Sequence, residues 1–196
     1  MKNRTLAAVV LNDDFEEPVF AEDGDELVSE LYNRPGHLIR RASQIAMALF
    51  IEEVQGVGVT QLQYVMLRAI RHHPRESHRR LSELTAIDRT TVGWMVASLE
   101  EKGLVMVKAN PDDQRRRRLE LTPLGIRKLR SIDARMPRHQ ARILEPLDVQ
   151  ERKQFMHCLR KVVLSNNRYS RAPLRPIPGN QKSGKANART AKKRRR

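Results

Sequence analysis

From Arg34-Pro35 onward, apolar residues recur at Leu38, Ala42, Ile45 and Leu49, with Ile39, Ala46 and Phe50 widening the stripe. Recurrence at three and four residues predicts an amphipathic helix, and proline is tolerated in a first turn, where its missing N–H has no intrahelical partner anyway. Gly56 and Gly58 end this helix. Thr60-Gln61-Leu62-Gln63 has the spacing of a capping box and opens a second helix through Leu62, Val65, Met66, Ala69 and Ile70, closed by His72-His73-Pro74. A short helix carries Leu81 and Leu84. After Ala86-Ile87, Asp88 caps a longer helix to Lys102, stopped by Gly103. Its inward face is Val92, Met95, Val96 and Leu99, which leaves Arg89, Thr90, Thr91, Gly93 and Trp94 partly or wholly free.

The period then changes. Leu104–Val107 and Arg118–Leu121 read as short strands around the loop Asn110–Arg117, which makes a hairpin. Helix resumes at Thr122-Pro123 and continues through Leu124, Leu129, Ile132 and Met136, until Pro137 splits it. The second part runs to Leu144. Asp148 and Glu151 form another capping box, and the final helix packs Phe155, Leu159 and Val162. The fold class is mainly α with a small β-hairpin wing. Helix, short helix, turn, helix and basic hairpin follow one another in the order of a winged helix-turn-helix.

Composition gives this frame a partner. The 196 residues carry a formal charge of +15, with 4% aromatic residues and one cysteine. A balance this basic points first to nucleic acid and second to an acidic membrane surface. The charge is not evenly spread. Residues 1–31 hold nine acids and two bases, residues 32–167 sum to +11, and residues 168–196 hold eleven bases and no acid. Residues 1–30 are expected to be a flexible acidic leader, although Leu27, Val28, Leu31 and Tyr32 can begin a helix that packs on the core, and residues 166–196, rich in proline, glycine and bases, are expected to be a disordered tail. The single Cys158 excludes an internal disulfide and a cysteine-based zinc site; it sits beside the stripe of the last helix, as a core or interface thiol does. The six histidines have no sequence-local zinc spacing, and neither a phosphate loop nor a nucleophile elbow is present. We therefore expect no enzyme activity, cofactor or metal. With no apolar run of membrane-spanning length and acids following the first residues, the expected location is the cytoplasm.

In a winged helix-turn-helix the second helix of the pair presents its first turn to base edges in the major groove. Here that turn offers Arg89 for phosphate or guanine, and Thr90 and Thr91 as hydroxyl donors with methyls for thymine. The same turn is compatible with a solvated cap. In the wing, Arg115 is placed at the tip, Asp113 can hold its guanidinium, and Arg116 is the next candidate. Strand alternation prevents all four arginines, Arg115 to Arg118, from facing DNA together. A charge run kept for solubility is the other reading of that stretch.

Asp88-Arg89-Thr90-Thr91-Val92, Leu99-Glu100-Glu101-Lys102-Gly103 and the run from Leu104-Val105 through Asp113-Gln114-Arg115 to Leu124-Gly125 together resemble the MarR family of bacterial transcription regulators. The resemblance covers about residues 31–163. It implies a homodimeric winged helix domain at 31–165, with dimerisation helices at about 31–55 and 123–165 and a DNA-binding core at about 59–122. It places the D-x-R of the wing on Asp113 and Arg115 and the polar turn of the recognition helix on Arg89, Thr90 and Thr91. Many members have arginine one turn further on, where this chain has Trp94, whose indole can stack on sugar or cover a thymine methyl. Within the family, Asn33–Arg41 and Thr60–Tyr64 are similar to members that control aromatic-acid catabolism. That similarity implies a repressor of a palindromic operator, released when a hydroxybenzoate-like or hydroxynicotinate-like effector binds between the dimerisation region and the winged domain. Such a ligand needs a cation, a ring wall and a hydrogen-bond partner, for which His37, Arg40, Arg41, Gln63 and Tyr64 are the candidates. The competing readings are an architectural nucleic-acid binder driven by the basic tail and a small enzyme with an incidental basic surface.

Overall fold

The helix starts that the sequence marks with caps are helix starts in the structure, a computed structural model that describes residues 26–110 and 113–175. The element order is α1 (Glu26–Tyr32), α2 (Pro35–Glu53), α3 (Gln61–His72), α4 (His78–Thr85), α5 (Arg89–Glu101), β1 (Val105–Asn110), β2 (Asp113–Leu121), α6 (Pro123–Asp133), α7 (Met136–Ile143) and α8 (Val149–Ser165), then a 3-10 turn at Asn167–Tyr169. In the capping box of α3, Gln63 N donates to Thr60 Oγ1 at 3.2 Å and Thr60 N to Gln63 Oε1 at 3.1 Å. Thr122 caps α6, and Asp148 with Glu151 caps α8. Pro137 acts as expected, with α6 ending at Asp133 and Pro137 in the first turn of α7.

The chain separates into two units, one up to Met47 and one from Ala48 onward. The described part of the first unit is α1 and most of α2. Of the two readings of the leader's end, the helix is the one found: α1 takes in Leu27, Val28, Leu31 and Tyr32, and Glu30 pairs with Arg34 one turn away; residues 1–25 lie outside the described residues. The stripe of α2 leaves Leu38, Ile39 and Ile45 exposed within the chain.

The second unit holds the core. Phe50, Met66, Leu67, Ile70, Leu81, Val92, Leu99, Leu119, Leu129 and Ile132 are fully buried, so α3, α4 and α5 pack around one centre that the hairpin and α6 close. All four residues expected on the inner face of α5 are buried. In α3 the pattern is off by one position at its start: Leu62 is exposed, whereas Gln63 is 7% exposed and points inward. A polar residue turns inward because its amide is satisfied there, by the cap and by Ser98. His139 is buried edge-on against Phe50, with ring centroids 5.6 Å apart. Arg142 clamps α7 to the end of α2 through Glu53 at 2.8 Å and Glu52 at 2.7 Å.

One junction is tighter than the rest. Thr122 N donates to Leu104 O at 3.0 Å and Thr122 Oγ1 to Gly103 O at 2.6 Å, which draws the first turn of α6 onto the start of β1. A Cβ on Gly125 would lie 2.0 Å from Leu104 O.

Three further expectations are corrected here. The loop expected at residues 110–117 is mostly strand, because β2 begins at Asp113. The final helix was expected to pack Phe155, Leu159 and Val162, but α8 has no buried residue within the chain; Phe155 is 41% and Leu164 64% exposed, and Cys158 is exposed too. The tail expected to be disordered from residue 166 is ordered to Arg175, where a backbone hydrogen bond ties it to Glu83. Residues 176–196 lie outside the described residues. Among the described residues, no helix is long and apolar enough to cross a membrane.

Candidate nucleic-acid interface

Helix α5 is positioned by a short turn. Ala86 adopts a left-handed conformation (φ 56°) after α4, Ile87 drops into the core, and Ser82 Oγ donates to Ile87 O at 2.6 Å. Asp88 then caps α5: its carboxylate accepts from Thr91 N at 2.9 Å and from Thr91 Oγ1 at 2.6 Å. These bonds hold the Asp88 carboxyl below its ordinary pKa, the Thr91 hydroxyl contributing most and its amide next. With Val92, Met95, Val96 and Leu99 buried, the opposite side of α5 presents Arg89, Thr90 and Trp94, the last 74% exposed. Thr91 is half-buried and its hydroxyl is engaged by the cap, so its methyl is the part left for a partner.

In the wing, β1 and β2 pair antiparallel from Val105↔Leu121 to Ala109↔Arg117, and the register then jumps to Asn110↔Asp113. Gln114, Arg115 and Arg116 are therefore a bulge on β2, and Arg115 is not a turn residue. A bulge breaks the strict alternation of a strand and re-aims the residues beyond it. The base of the wing is fixed by Glu120, whose carboxylate meets Lys108 Nζ at 3.1 Å and Arg75 Nε at 3.4 Å. Lys108 foremost, and then Arg75, lower the pKa of Glu120. Arg75 N also donates to Leu119 O at 3.1 Å, so the segment after α3 lies along β2.

Beside the first turn of α5 is a polar cleft of about 540 Å³ that sequence reasoning missed. Its lining includes Arg79 and Glu83 of α4, then Asp88, Arg89 and Thr90, and, from the segment beyond α8, Arg171 and Arg175. Arg79 is paired with Glu83 at 3.3 Å.

The residues proposed for an effector fall in both units. In the first, Arg40 Nη2 lies 3.5 Å from His37 Nδ1, His37 Nε2 is shielded from solvent without a hydrogen-bond partner, and Arg41 Nη1 donates to Gln44 Oε1 at 3.2 Å. In the second, the polar groups of Gln63 and Tyr64 are committed to structure. Gln63 Oε1 also accepts from Lys102 Nζ at 3.1 Å, and Gln63 Nε2 donates to Ser98 Oγ at 3.1 Å. Tyr64 donates to Asp133 Oδ1 at 2.9 Å, and burial raises its phenol pKa above the ordinary value.

The model of the MarR family matches residues 59–116, from the turn before α3 into the wing. The HTH-type transcriptional repressor NicR of Pseudomonas putida is 31% identical over 145 residues, which span 72% of this chain and 90% of NicR. The chain belongs to the MarR family. Two solved MarR-type structures are similar along most of the described chain. Bordetella bronchiseptica BpsR, whose structure concerns regulation of DNA binding by 6-hydroxynicotinic acid, has 30% identity and a TM-score of 0.59 over 65% of this chain and 96% of its own. The repressor CouR, bound to a 23-mer DNA duplex, has 25% identity and a TM-score of 0.63 over 68% and 95%. This MarR-family chain is a transcriptional regulator, and the relatives it matches are named as regulators, not enzymes.

Sequence reasoning on this MarR-family chain missed Arg79, Arg171 and Arg175. Only a weak signal marks Arg171 and Arg175: Ala172, Pro173 and Leu174 interrupt the basic segment with apolar residues, the first two of which lose little side-chain entropy when ordered.

Proposed function

We propose that this chain is a dimeric repressor that reads a palindromic operator and leaves it when a small aromatic carboxylate binds. The observation that carries the reading is the capped first turn of α5, which holds Arg89, Thr90 and Trp94 outward while every apolar residue behind them is buried. Arg89 supplies a phosphate or guanine contact, Thr90 a hydroxyl and a methyl, Thr91 a methyl, and Trp94 an apolar face for sugar or thymine. Arg115 and Arg116 of the wing reach the adjacent minor groove, with Asp113 orienting Arg115.

Dimerisation is supported by α8. A 17-residue helix with exposed Val149, Phe155, Val162, Val163 and Leu164 has no buried residue within its own chain. Such a helix is marginal in water unless its apolar face is covered, and a second copy is the cover we assign. Residues 31–55 and 123–165 are then the dimerisation region and 59–122 the DNA-binding region, with the two recognition helices about one helical turn of DNA apart, ~34 Å.

For the effector, His37 and Arg40 are neighbours and His37 Nε2 is unpartnered; with Arg41 they form a cationic group suited to a carboxylate. DNA binding by BpsR, with its link to 6-hydroxynicotinic acid, supports hydroxynicotinates and hydroxybenzoates as the class. Calorimetry with a panel of both is expected to give saturable binding by the full chain, weakened at least tenfold in Arg40→Ala. Failure of the whole panel would remove the effector class and leave DNA binding untouched.

Arg115→Ala is expected to weaken operator binding by ~1–3 kcal/mol and to flatten the dependence on salt. Gel-shift titrations at two salt concentrations measure both. Unchanged affinity at both would remove Arg115 from the interface.

A further inference from the structure

The ten residues after α8 do not trail away from the molecule. Asn167 clasps the turn that comes after it, its Oδ1 accepting from Leu174 N at 2.8 Å and its Nδ2 donating to Leu174 O at 3.1 Å. Ser170 Oγ accepts from Ala172 N at 3.2 Å, and Ala172 is buried. The end of the segment is held by α4: Arg175 N donates to Glu83 O at 2.7 Å, and Arg80 Nη1 donates to Arg175 O at 3.1 Å while bonding Glu83 Oε2 at 2.9 Å. Residues 167–175 are thus an arm latched at both ends.

The latch puts charge in one place. Arg171 and Arg175 come to line the same cleft beside α5 as Arg89 and Thr90. Among the described residues, the guanidinium groups of Arg89, Arg171 and Arg175 have neither a hydrogen bond nor an ion pair. The two acids of the cleft are already satisfied, Glu83 by Arg79 and Arg80 and Asp88 by Thr91. Three unpaired, exposed guanidiniums from two separate segments line one cleft, and each can donate charge-assisted hydrogen bonds to an anion. An oxyanion offers several acceptors to such donors, and Thr90 lines the same cleft. Beyond Arg175 the sequence continues with eight more bases and no acid.

We infer that the arm is a second DNA-contacting element, in which Arg171 and Arg175, with Arg89, grip a backbone phosphate beside the bases read by α5. This inference rests on the DNA-binding reading above. Phosphate contacts position a protein on DNA without reading sequence, so the arm adds affinity and sets register, while α5 discriminates.

The test uses the full chain and two duplexes, one selected by the protein from a random pool and one of random sequence. Arg171→Ala with Arg175→Ala is expected to weaken binding to both by the same factor. The log–log salt slope should fall by about 0.9 for each phosphate released. Asn167→Ala keeps every charge and removes the clasp; weaker binding is expected there too. Melting curves confirm that both variants are folded. Unchanged affinity and slope in the arginine variant would overturn the inference, as would wild-type affinity in Asn167→Ala, which would mean that the charges act without the latch. Tighter binding by either variant would make the arm a shield over α5 and also overturn it. Wild-type protein that binds neither duplex would refute the DNA-binding reading itself, a result distinct from failure of the arm alone.

Discussion

Gly125→Ala should destabilise this protein by about 3 kcal/mol or more, which for a chain of this size lowers the melting temperature by roughly 6–12 °C. The added Cβ would meet a backbone oxygen, Leu104 O, at 2.0 Å, not the movable end of a side chain. Relief requires α6 to lift from β1. That movement breaks the Thr122 bonds to Leu104 O and Gly103 O and loosens the packing of Leu129 and Ile132, both fully buried. Gly93→Ala is the control, since a Cβ there meets nothing within 4 Å; in a helix interior it should add ~0.5–1 kcal/mol. Thermal denaturation of the two variants at one fixed protein concentration separates them. A melting temperature for Gly125→Ala within about 2 °C of wild type would show that α6 does not depend on this approach.

Charge placed on the outer face of α8 should have the largest effect on DNA binding without touching a DNA contact. Val163 and Leu164 are both more than half exposed, so Val163→Asp with Leu164→Asp costs a lone chain little. In a dimer the same carboxylates would have to be buried without partners. The expected result is a monomer by sedimentation, with operator affinity at least about 100-fold lower because two linked half-site contacts become one. A variant that stays dimeric with native affinity would place the interface elsewhere.

The fold was legible where local chemistry decides structure. Thr60, Asp88, Thr122 and Asp148 each bond the amides of the turn they open, and side chain and backbone within four residues are enough to specify that. The inner face of α5 was legible for the same reason, because one helix packed on one core keeps a clean period. Periodicity misled at Gln63, whose burial depends on Ser98 and Lys102, some 35 and 39 residues away. It also misled at α8, since an apolar stripe does not say whether its own chain or another covers it. At the site, Arg89, Thr90 and Trp94 could be named because they lie on one turn. The cleft could not, because its lining comes from segments more than 80 residues apart that are joined where α4 holds Arg175. Composition also worked against it. A segment that is basic and proline-rich reads as unfolded unless the few apolar residues within it have somewhere to dock.

The most direct test of sequence-specific reading by α5 is selection of duplexes from a random pool by the full chain, followed by footprinting of the winners. The expected result is an inverted repeat with half-site centres about one turn apart, ~34 Å, and a preference for it that Thr90→Ala loses while retaining binding to random DNA. Protection of every duplex alike, with affinity set by length and salt alone, would contradict it and favour an architectural binder driven by the basic end of the chain.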